Sequence, residues 1–363
     1  MRIALVGLGN AGFDIHLPAL AGIQSASIVA LCDLDEGRRN RASAMYGAPS
    51  FAHLDDMLIK GRPDVVVIGT PPDSHADACV RSLEAGAHVL CEKPFVSSLE
   101  EADTVLNAAA RAGRRVALNH EFREMPIFRA LRDQLTLPAS PSLRFVQMWQ
   151  LMDLPPHAEV EWRGRMVQRT LFEAGVHLVD LAMNLFGETP LSVQASTYGG
   201  QGPASDAVAV VTLEFSGGRL AHLTQNRLCK GETHYFEVRA DTADASYRAS
   251  FGGRARMSAG LYGSTRPHMR FEFGRSGIAW KEVGSRRSFM ARNPNEPTVR
   301  ATRAVFQKTF DAFHTGADVP TSGQLAREIL KVIVACYHSA SSGQRLRLDD
   351  PVMQGLLTTR LGA

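Results

Sequence analysis

The stretch Ile3-Ala4-Leu5-Val6-Gly7-Leu8-Gly9-Asn10-Ala11-Gly12 is the strongest indication of how the first part of the chain folds. Its four apolar residues predict a short buried β-strand, and a helical pattern begins after the last glycine. A G-x-G-x-x-G spacing between a strand and a helix is typical of a turn that receives a dinucleotide pyrophosphate on free backbone amides. We therefore expect the residues from Gly7 to Gly12 to bind such a cofactor.

An acidic residue follows the second predicted strand. Ile28 to Cys32 is apolar and ends at Asp33, 21 positions after Gly12, where a carboxylate accepts hydrogen bonds from the adenosine ribose. A carboxylate there also repels a 2′-phosphate, so the sequence favours NAD, with NADP as the alternative because Arg38 and Arg39 follow closely. The structural alternative for Asp33 is a turn or helix-capping aspartate.

Strand and helix patterns alternate up to residue 118, which predicts an α/β fold with a doubly wound parallel sheet, a Rossmann domain. Ligands of such sheets bind beyond the carboxyl ends of the strands. The polar or turn-forming residues predicted there, and assigned to the cofactor site, are Thr70, Pro71, His75, Glu92, Lys93 and Asn119.

Lys93 has a second predicted role. It lies at the end of a strand and before Pro94, whose ring fixes the backbone. An ammonium group at this position can stabilise the negative charge that develops on a substrate oxygen. The alternative is a solvated lysine in a surface turn.

A second informative stretch is Glu173-Ala-Gly-Val-His177-Leu-Val-Asp180. On an α-helix, Glu173, His177, Asp180 and Asn184 fall in one stripe about 60° wide, and apolar residues cover the rest. A buried polar stripe needs polar partners, so we interpret it as the wall of a polar cleft with His177 as a candidate base. The alternatives are that Glu173 caps the helix through a capping box with Thr170, and that His177 bonds a backbone carbonyl.

From residue 143 onward, alternating apolar and polar residues predict several strands with few helices between them. We expect a second α/β domain with an open, largely antiparallel sheet and the helix of His177 packed on one face. The predicted domains are 1–122, which binds the dinucleotide, and 123–363, which binds substrate and forms oligomer contacts, with the last helices packing back on the first domain. The segment 255–297 is either a mobile flap or an oligomer contact.

Composition narrows the classes of partner. Forty basic and thirty-seven acidic residues give a net charge of +3 without a basic block, so neither nucleic acid nor a membrane surface is expected. Five scattered cysteines indicate reduced thiols and no metal site. The first residues lead directly into a strand and no apolar run is long enough to span a membrane, so a cytoplasmic protein is expected.

Four further residues are weaker candidates. Trp162 and Arg163 either line the substrate site or pack under a loop. His16 and His157 are interpreted as capping or surface histidines.

Together these motifs resemble the Gfo/Idh/MocA oxidoreductases, which include glucose-fructose oxidoreductase and inositol dehydrogenases. The matching residues are Gly7 to Gly12, Asp33, Thr70, Pro71, His75, Glu92 to Pro94, Glu173 to His177 and Asp180. The resemblance implies a catalytic group of Lys93, Glu173 and His177 and a homodimer or homotetramer. The family usually has aspartate where this chain has Glu173, which leaves that residue's role open.

The resemblance implies hydride transfer between NAD or NADP and a secondary hydroxyl of a sugar, polyol or inositol, or of a glycoside. His177 is expected to accept the hydroxyl proton, Lys93 to polarise the oxygen, and Glu173 to orient the imidazole. Two alternatives share these motifs: a glycoside hydrolase that retains NAD and oxidises its substrate transiently, and a regulator that binds NAD(P) without catalysis.

Overall fold

The computed structural model describes residues 1–136, 142–153, 162–199, 206–230, 234–252, 256–262, 266–272 and 277–362. His157 and parts of the segment 255–297 lie outside these ranges. The chain divides into two compact units. The first contains residues Met1–Glu124, Thr298–Ala335 and Leu348–Ala363, and the second contains Met125–Pro297 and Cys336–Arg347.

The elements are numbered along the chain. The strands are β1 Arg2–Val6, β2 Ser27–Cys32, β3 Ser50–Phe51, β4 Val65–Ile68, β5 His88–Cys91, β6 Val116–Leu118, β7 Phe145–Met152, β8 Ser192–Gly199, β9 Asp206–Phe215, β10 Arg219–Asn226, β11 His234–Asp241, β12 Ser246–Gly252, β13 Arg256–Tyr262, β14 Arg266–Glu272, β15 Ile278–Val283, β16 Arg286–Arg292 and β17 Leu346–Arg347. The α-helices are α1 Leu17–Ala21, α2 Glu36–Tyr46, α3 Leu54–Gly61, α4 His75–Glu84, α5 Leu99–Ala112, α6 Pro126–Leu135, α7 Trp162–Arg165, α8 Val176–Phe186, α9 Pro297–Thr315, α10 Gly323–Ser342 and α11 Val352–Gly355.

The first unit is built on a six-stranded sheet in the order β3-β2-β1-β4-β5-β6. Its neighbouring strands pair in parallel, which confirms the predicted doubly wound sheet. Strand β4 is fully buried, as expected when helices cover both faces of a parallel sheet. Strand order reverses between β1 and β4, which is where such sheets bind nucleotides.

Helix α9 belongs to this first unit for a physical reason. Its Phe306 and Phe310 are buried in the same apolar cluster as Leu5 of β1 and Leu31 of β2. Removing such side chains from water supplies the main stabilisation of a core. Helix α9, which lies within the predicted range 123–363, therefore packs with the strands of the first unit.

The second unit contains a nine-stranded sheet in the order β16-β15-β12-β11-β7-β10-β9-β8-β17. Strands β7 and β10 run parallel, whereas the other neighbours in the sheet are antiparallel. The prediction of a largely antiparallel sheet is confirmed. Along β9, buried and half-exposed residues alternate, so the sheet has one covered and one open face. Helices α6 and α8 pack against its strands.

The helix of His177 begins differently from the prediction. Residues Thr170–Gly175 form a π-helix, and α8 continues from Val176. A π-helix has i to i+5 hydrogen bonds and a wider turn than an α-helix. The 100° periodicity therefore describes His177, Asp180 and Asn184 but misplaces Glu173.

Candidate functional site

The three glycines of the dinucleotide turn have different surroundings. A Cβ atom on Gly7, whose φ is +90°, would lie 2.6 Å from the backbone of Gly69, and a Cβ on Gly12 would lie 2.0 Å from the carbonyl oxygen of Gly7. Only glycine fits at these two positions. A Cβ on Gly9 would meet only the tip of Arg38, at 3.9 Å, so the backbone there is open to a ligand. This arrangement fits a pyrophosphate at Gly9.

Asp33 is tied to the same turn. Its Oδ2 accepts a hydrogen bond from the backbone N–H of Leu8 at 2.6 Å, and its Oδ1 accepts one from Asp35 at 2.8 Å. The capping role considered for Asp33 belongs to Asp35, whose side chain accepts from the N–H of Arg38 at the start of α2. The carboxylate of Asp33 therefore stands at the end of β2 beside the turn, where the ribose contact is predicted.

His75 joins two loops that follow neighbouring strands. It is fully buried. Its Nε2 lies 2.8 Å from the carbonyl oxygen of Thr70, and its Nδ1 lies 3.0 Å and 2.9 Å from the carbonyl oxygens of Pro94 and Phe95. The imidazole thus holds the Thr70-Pro71 loop against the loop after Lys93. These contacts fix the positions of the two loops, which carry residues of the predicted cofactor site.

Glu92, the residue before Lys93, is the centre of a partly buried hydrogen-bond network. Oε1 of Glu92 lies 2.6 Å from Nε2 of His16 and accepts a hydrogen bond from the amide of Asn119 at 2.7 Å. Its Oε2 accepts one from the backbone N–H of Lys93 at 3.0 Å. Glu92 and Asn119 therefore meet at the carboxyl ends of β5 and β6, as the sequence predicts, and fix the backbone from which Lys93 extends.

The charge of Glu92 is set by these partners. Burial raises the pKa of its carboxyl group, but the hydrogen bond and charge of His16, the charge of Lys93 and the hydrogen bond of Asn119 outweigh it and hold the pKa well below its usual value. Glu92 is thus ionised at neutral pH, and the carboxylate lies beside the lysine proposed to carry the chemistry.

The interpretation of His16 as a capping or surface histidine is wrong. The residue is fully buried and is the missing partner of Glu92. A signal was present in the sequence: His16 precedes Leu20 by one helical turn, and Leu20 lies in the apolar cluster of the first unit. A histidine on the core face of a helix needs a polar partner, and the carboxylate of Glu92 after β5 supplies it.

In the second unit, the polar stripe is present on α8. His177 and Asp180 are buried, with 6% and 1% of their surface exposed, whereas Asn184 is half-buried. All other residues of α8 are buried. The helix is therefore an interior helix with a polar stripe, as the sequence predicts.

Glu173 lies between two arginines. Its Oε1 accepts from Nε of Arg163 at 2.6 Å and its Oε2 from Nε of Arg169 at 2.5 Å. The guanidinium of Arg163 also lies over the ring of Trp162, 4.3 Å from its centroid. The Trp162-Arg163 pair thus packs at the start of the His177 helix, and its arginine fixes Glu173.

The capping box considered as the alternative role of Glu173 is not seen at Thr170. Instead, the N–H of Thr170 donates to Oδ1 of Asp206 at 2.8 Å and its hydroxyl donates to the Asp206 carbonyl at 2.7 Å. The Tyr337 hydroxyl donates to Oδ2 of Asp206 at 2.8 Å and accepts from the N–H of Leu171 at 3.0 Å. Burial, then the charge and hydrogen bond of Asp206, raise the pKa of Tyr337 well above its usual value. Sequence reasoning missed both partners, because they lie 36 and 166 residues further along the chain.

The described ranges contain no group of three or more His, Cys, Asp or Glu side chains arranged to hold a metal ion. None of the described helices is both long and apolar enough to cross a membrane.

Comparison with known families identifies both parts of the chain. Residues 1–120 match the model of an oxidoreductase family with an NAD-binding Rossmann fold, GFO/IDH/MocA. Residues 142–246 match the model of the GFO/IDH/MocA C-terminal domain.

Individual relatives extend this match. A D-apiose dehydrogenase of Paraburkholderia graminis is 25% identical over 96% of this chain and 89% of its own length. An inositol 2-dehydrogenase of Rhizobium meliloti is 26% identical over 62% of this chain and 69% of its own. Among solved structures, an oxidoreductase from Agrobacterium radiobacter in complex with NAD+, L-tartaric acid and magnesium has the same fold, with a TM-score of 0.80, 17% identity, and coverage of 96% of this chain and 98% of that chain.

Proposed function

Since this chain belongs to the GFO/IDH/MocA oxidoreductase family, we propose that it is a dehydrogenase that transfers a hydride between a nicotinamide cofactor and a secondary hydroxyl carbon of a sugar or polyol. The observation that carries the proposal is the network of Glu92, which fixes the backbone of Lys93 in the unit that contains the dinucleotide turn. Relatives named as D-apiose, inositol and glucoside dehydrogenases support the substrate class.

The residues of the first unit fit a nicotinamide dinucleotide. The open backbone at Gly9 leaves room for the pyrophosphate, and Asp33 stands where it would accept hydrogen bonds from the ribose. A carboxylate at that position favours NAD over NADP. The exposed Arg38 beside Gly9 is the group that would bind a 2′-phosphate if NADP is accepted.

The proposed chemistry divides between two side chains. Bound NAD supplies the hydride acceptor. Lys93 donates a hydrogen bond to the substrate oxygen and stabilises its negative charge. His177 takes the hydroxyl proton, a role suited to an imidazole near neutral pH.

Glu173 has a supporting role in this proposal. Its carboxylate, held by Arg163 and Arg169, fixes the turn that precedes His177 and so limits how the imidazole can be oriented.

We further propose that residues 1–122 form the cofactor domain and that the substrate and oligomer contacts come from within 123–363. The open face of the nine-stranded sheet supports a homodimer or homotetramer, because half-exposed Val208 and Val210 of β9 and Trp149 of β7 lie on it. The five free cysteines, four of them buried, support a reducing cytoplasm. Analytical ultracentrifugation tests the assembly: a sedimenting monomer at micromolar concentration contradicts it.

The test of the activity is a panel of sugars, inositols, polyols and glycosides incubated with NAD or NADP while the absorbance of reduced nicotinamide is followed. Growth of that absorbance with at least one sugar or polyol is expected. Release of a free sugar from a glycoside without net reduction identifies the NAD-retaining hydrolase instead. Tight NADH binding without turnover of any compound identifies a regulator and overturns the proposal.

A further inference from the structure

His16 occupies a position fixed by three neighbours. It ends the π-helical turn that begins at Gly12, the last glycine of the dinucleotide motif. Its ring centroid lies 5.6 Å from that of Phe306 on α9. Its Cε1 lies 3.1 Å from the point where a Cβ on residue 69 would stand, so the ring packs closely against the backbone of Gly69. The third neighbour is Glu92, and together they hold the imidazole in one orientation.

The imidazole of His16 influences the Lys93 loop through its contact with Glu92. One carboxylate oxygen faces His16 and Asn119, and the other accepts from the Lys93 N–H. The carboxylate cannot rotate without breaking at least one of these bonds. The rotation of Glu92, and with it the backbone at Lys93, is therefore set by His16 on one side and Asn119 on the other.

Stability alone does not account for a histidine here. In the part of the chain that the structure describes, Nδ1 of His16 and Oδ1 of Asn119 are buried without a hydrogen-bond partner. An unsatisfied buried polar atom is destabilising, and an apolar pair of similar volume in place of His16 and Asn119 would avoid that cost. The presence of His16 and Asn119 is better explained by their contacts with Glu92, which fix the position of its carboxylate.

We propose that His16 is a positioning residue of the hydride-transfer site, acting through Glu92 to hold the Lys93 ammonium in the orientation required by the reacting oxygen. This inference rests on the proposed function of Lys93. Because His16 lies on the segment that opens at Gly12, it also joins the dinucleotide turn and the Lys93 loop through one hydrogen bond. A misplacement of about 1 Å at a catalytic group costs on the order of 10²-fold in rate.

The test compares His16→Ala and His16→Gln with a control, His88→Gln. Glutamine can place an amide N–H near the position of Nε2, so it restores a donor to Glu92. His88 is a half-buried histidine on β5 of the same sheet whose Nδ1 accepts from the Arg115 N–H. With a substrate found by the panel, His16→Ala is expected to lower kcat about 10²-fold with KM and NADH affinity unchanged. His16→Gln should recover part of the loss, and His88→Gln should behave as wild type.

A second readout does not need a substrate. The rate at which an acylating reagent labels the Lys93 amine, measured by mass spectrometry with NAD bound and compared with the exposed Lys60 in the same sample, reports the surroundings of Lys93. His16→Ala should change the Lys93 rate several-fold and His88→Gln should not. If the wild-type protein turns over no compound, the proposed function fails, whereas this labelling still decides the role of His16.

Two results overturn the inference. One is a wild-type kcat and a wild-type Lys93 labelling rate in His16→Ala. The other is a parallel loss of kcat, NADH affinity and melting temperature in both His16 variants, which identifies a residue needed only for folding.

Discussion

Nε of Arg169 lies 2.5 Å from Oε2 of Glu173, one turn further along the π-helix that leads into the helix of His177. Only 4% of the arginine side chain and 16% of the glutamate side chain are exposed. Charge pairs that are this well shielded cost more to break than surface pairs. The contact therefore stabilises the second unit and also helps to fix the position of His177, the proposed base.

Replacing Glu173 with glutamine is expected to destabilise the protein by about 1–3 kcal/mol, because it leaves the buried guanidinium of Arg169 without the carboxylate. The measurement is the thermal unfolding transition followed by circular dichroism. The matched control is Glu188→Gln, which breaks the more exposed pair with Arg219 in the same unit and should cost less than about 1 kcal/mol. Equal shifts for the two variants would show that the Glu173 pair is an ordinary surface contact.

Tyr337 supplies a second prediction in the same unit. Tyr337→Phe removes the hydroxyl that bridges Asp206 and the Leu171 N–H, and the buried groups left behind should cost about 1–3 kcal/mol. Urea denaturation measures the loss. Tyr198→Phe, at a side chain that is 67% exposed, is the control and should have no measurable effect. A wild-type denaturation midpoint in Tyr337→Phe would show that this network does not stabilise the start of the His177 helix.

The glycines of the dinucleotide turn should separate folding from cofactor binding. Gly12→Ala forces a methyl group against the Gly7 carbonyl and should lower the melting temperature. Gly9→Ala places its methyl group in open space, so it should melt as wild type but bind NADH at least about tenfold more weakly, because the pyrophosphate approaches that backbone. Calorimetric titration with NADH measures the affinity. Unchanged NADH affinity in a folded Gly9→Ala protein would place the cofactor elsewhere.

The depressed pKa of Glu92 predicts a dependence of stability on pH. Because the folded-state pKa lies below 4.5, the value of an unperturbed glutamate, the stabilisation is fully present above about pH 4.5 and is lost as the pH falls toward the folded-state pKa. Wild-type unfolding free energy, measured by urea denaturation at a series of pH values, should therefore fall below pH 4.5 more steeply than that of Glu92→Gln. Parallel profiles for the two proteins would show that Glu92 carries no such stabilisation.

The elements that follow from local patterns were predictable. The strand before Gly7, the apolar strand β4 and the helix α5 are visible in the periodicity of the sequence, because a parallel sheet demands buried strands and glycine at its tight turn. The polar stripe on α8 is visible for the same reason. These features depend on neighbours within about one helical turn or one strand.

Features that depend on distant residues were not predictable. The partner of His16 is 76 residues away, and Tyr337 reaches Leu171 from 166 residues away. At Thr170, Asp206 accepts the backbone N–H that a capping box would give to Glu173, so a tertiary contact decides which partner this N–H has. Side-chain hydrogen bonds of this kind leave no periodic signal in the sequence.

The most direct test of the central claim is the turnover of His177→Ala and Lys93→Ala with the substrate identified by the panel. Both variants should lose about 10²-fold or more in kcat while binding NADH as tightly as wild type, measured by quenching of protein fluorescence. A wild-type kcat in either variant would contradict the account, because the remaining residue would then suffice to move the proton and stabilise the oxygen.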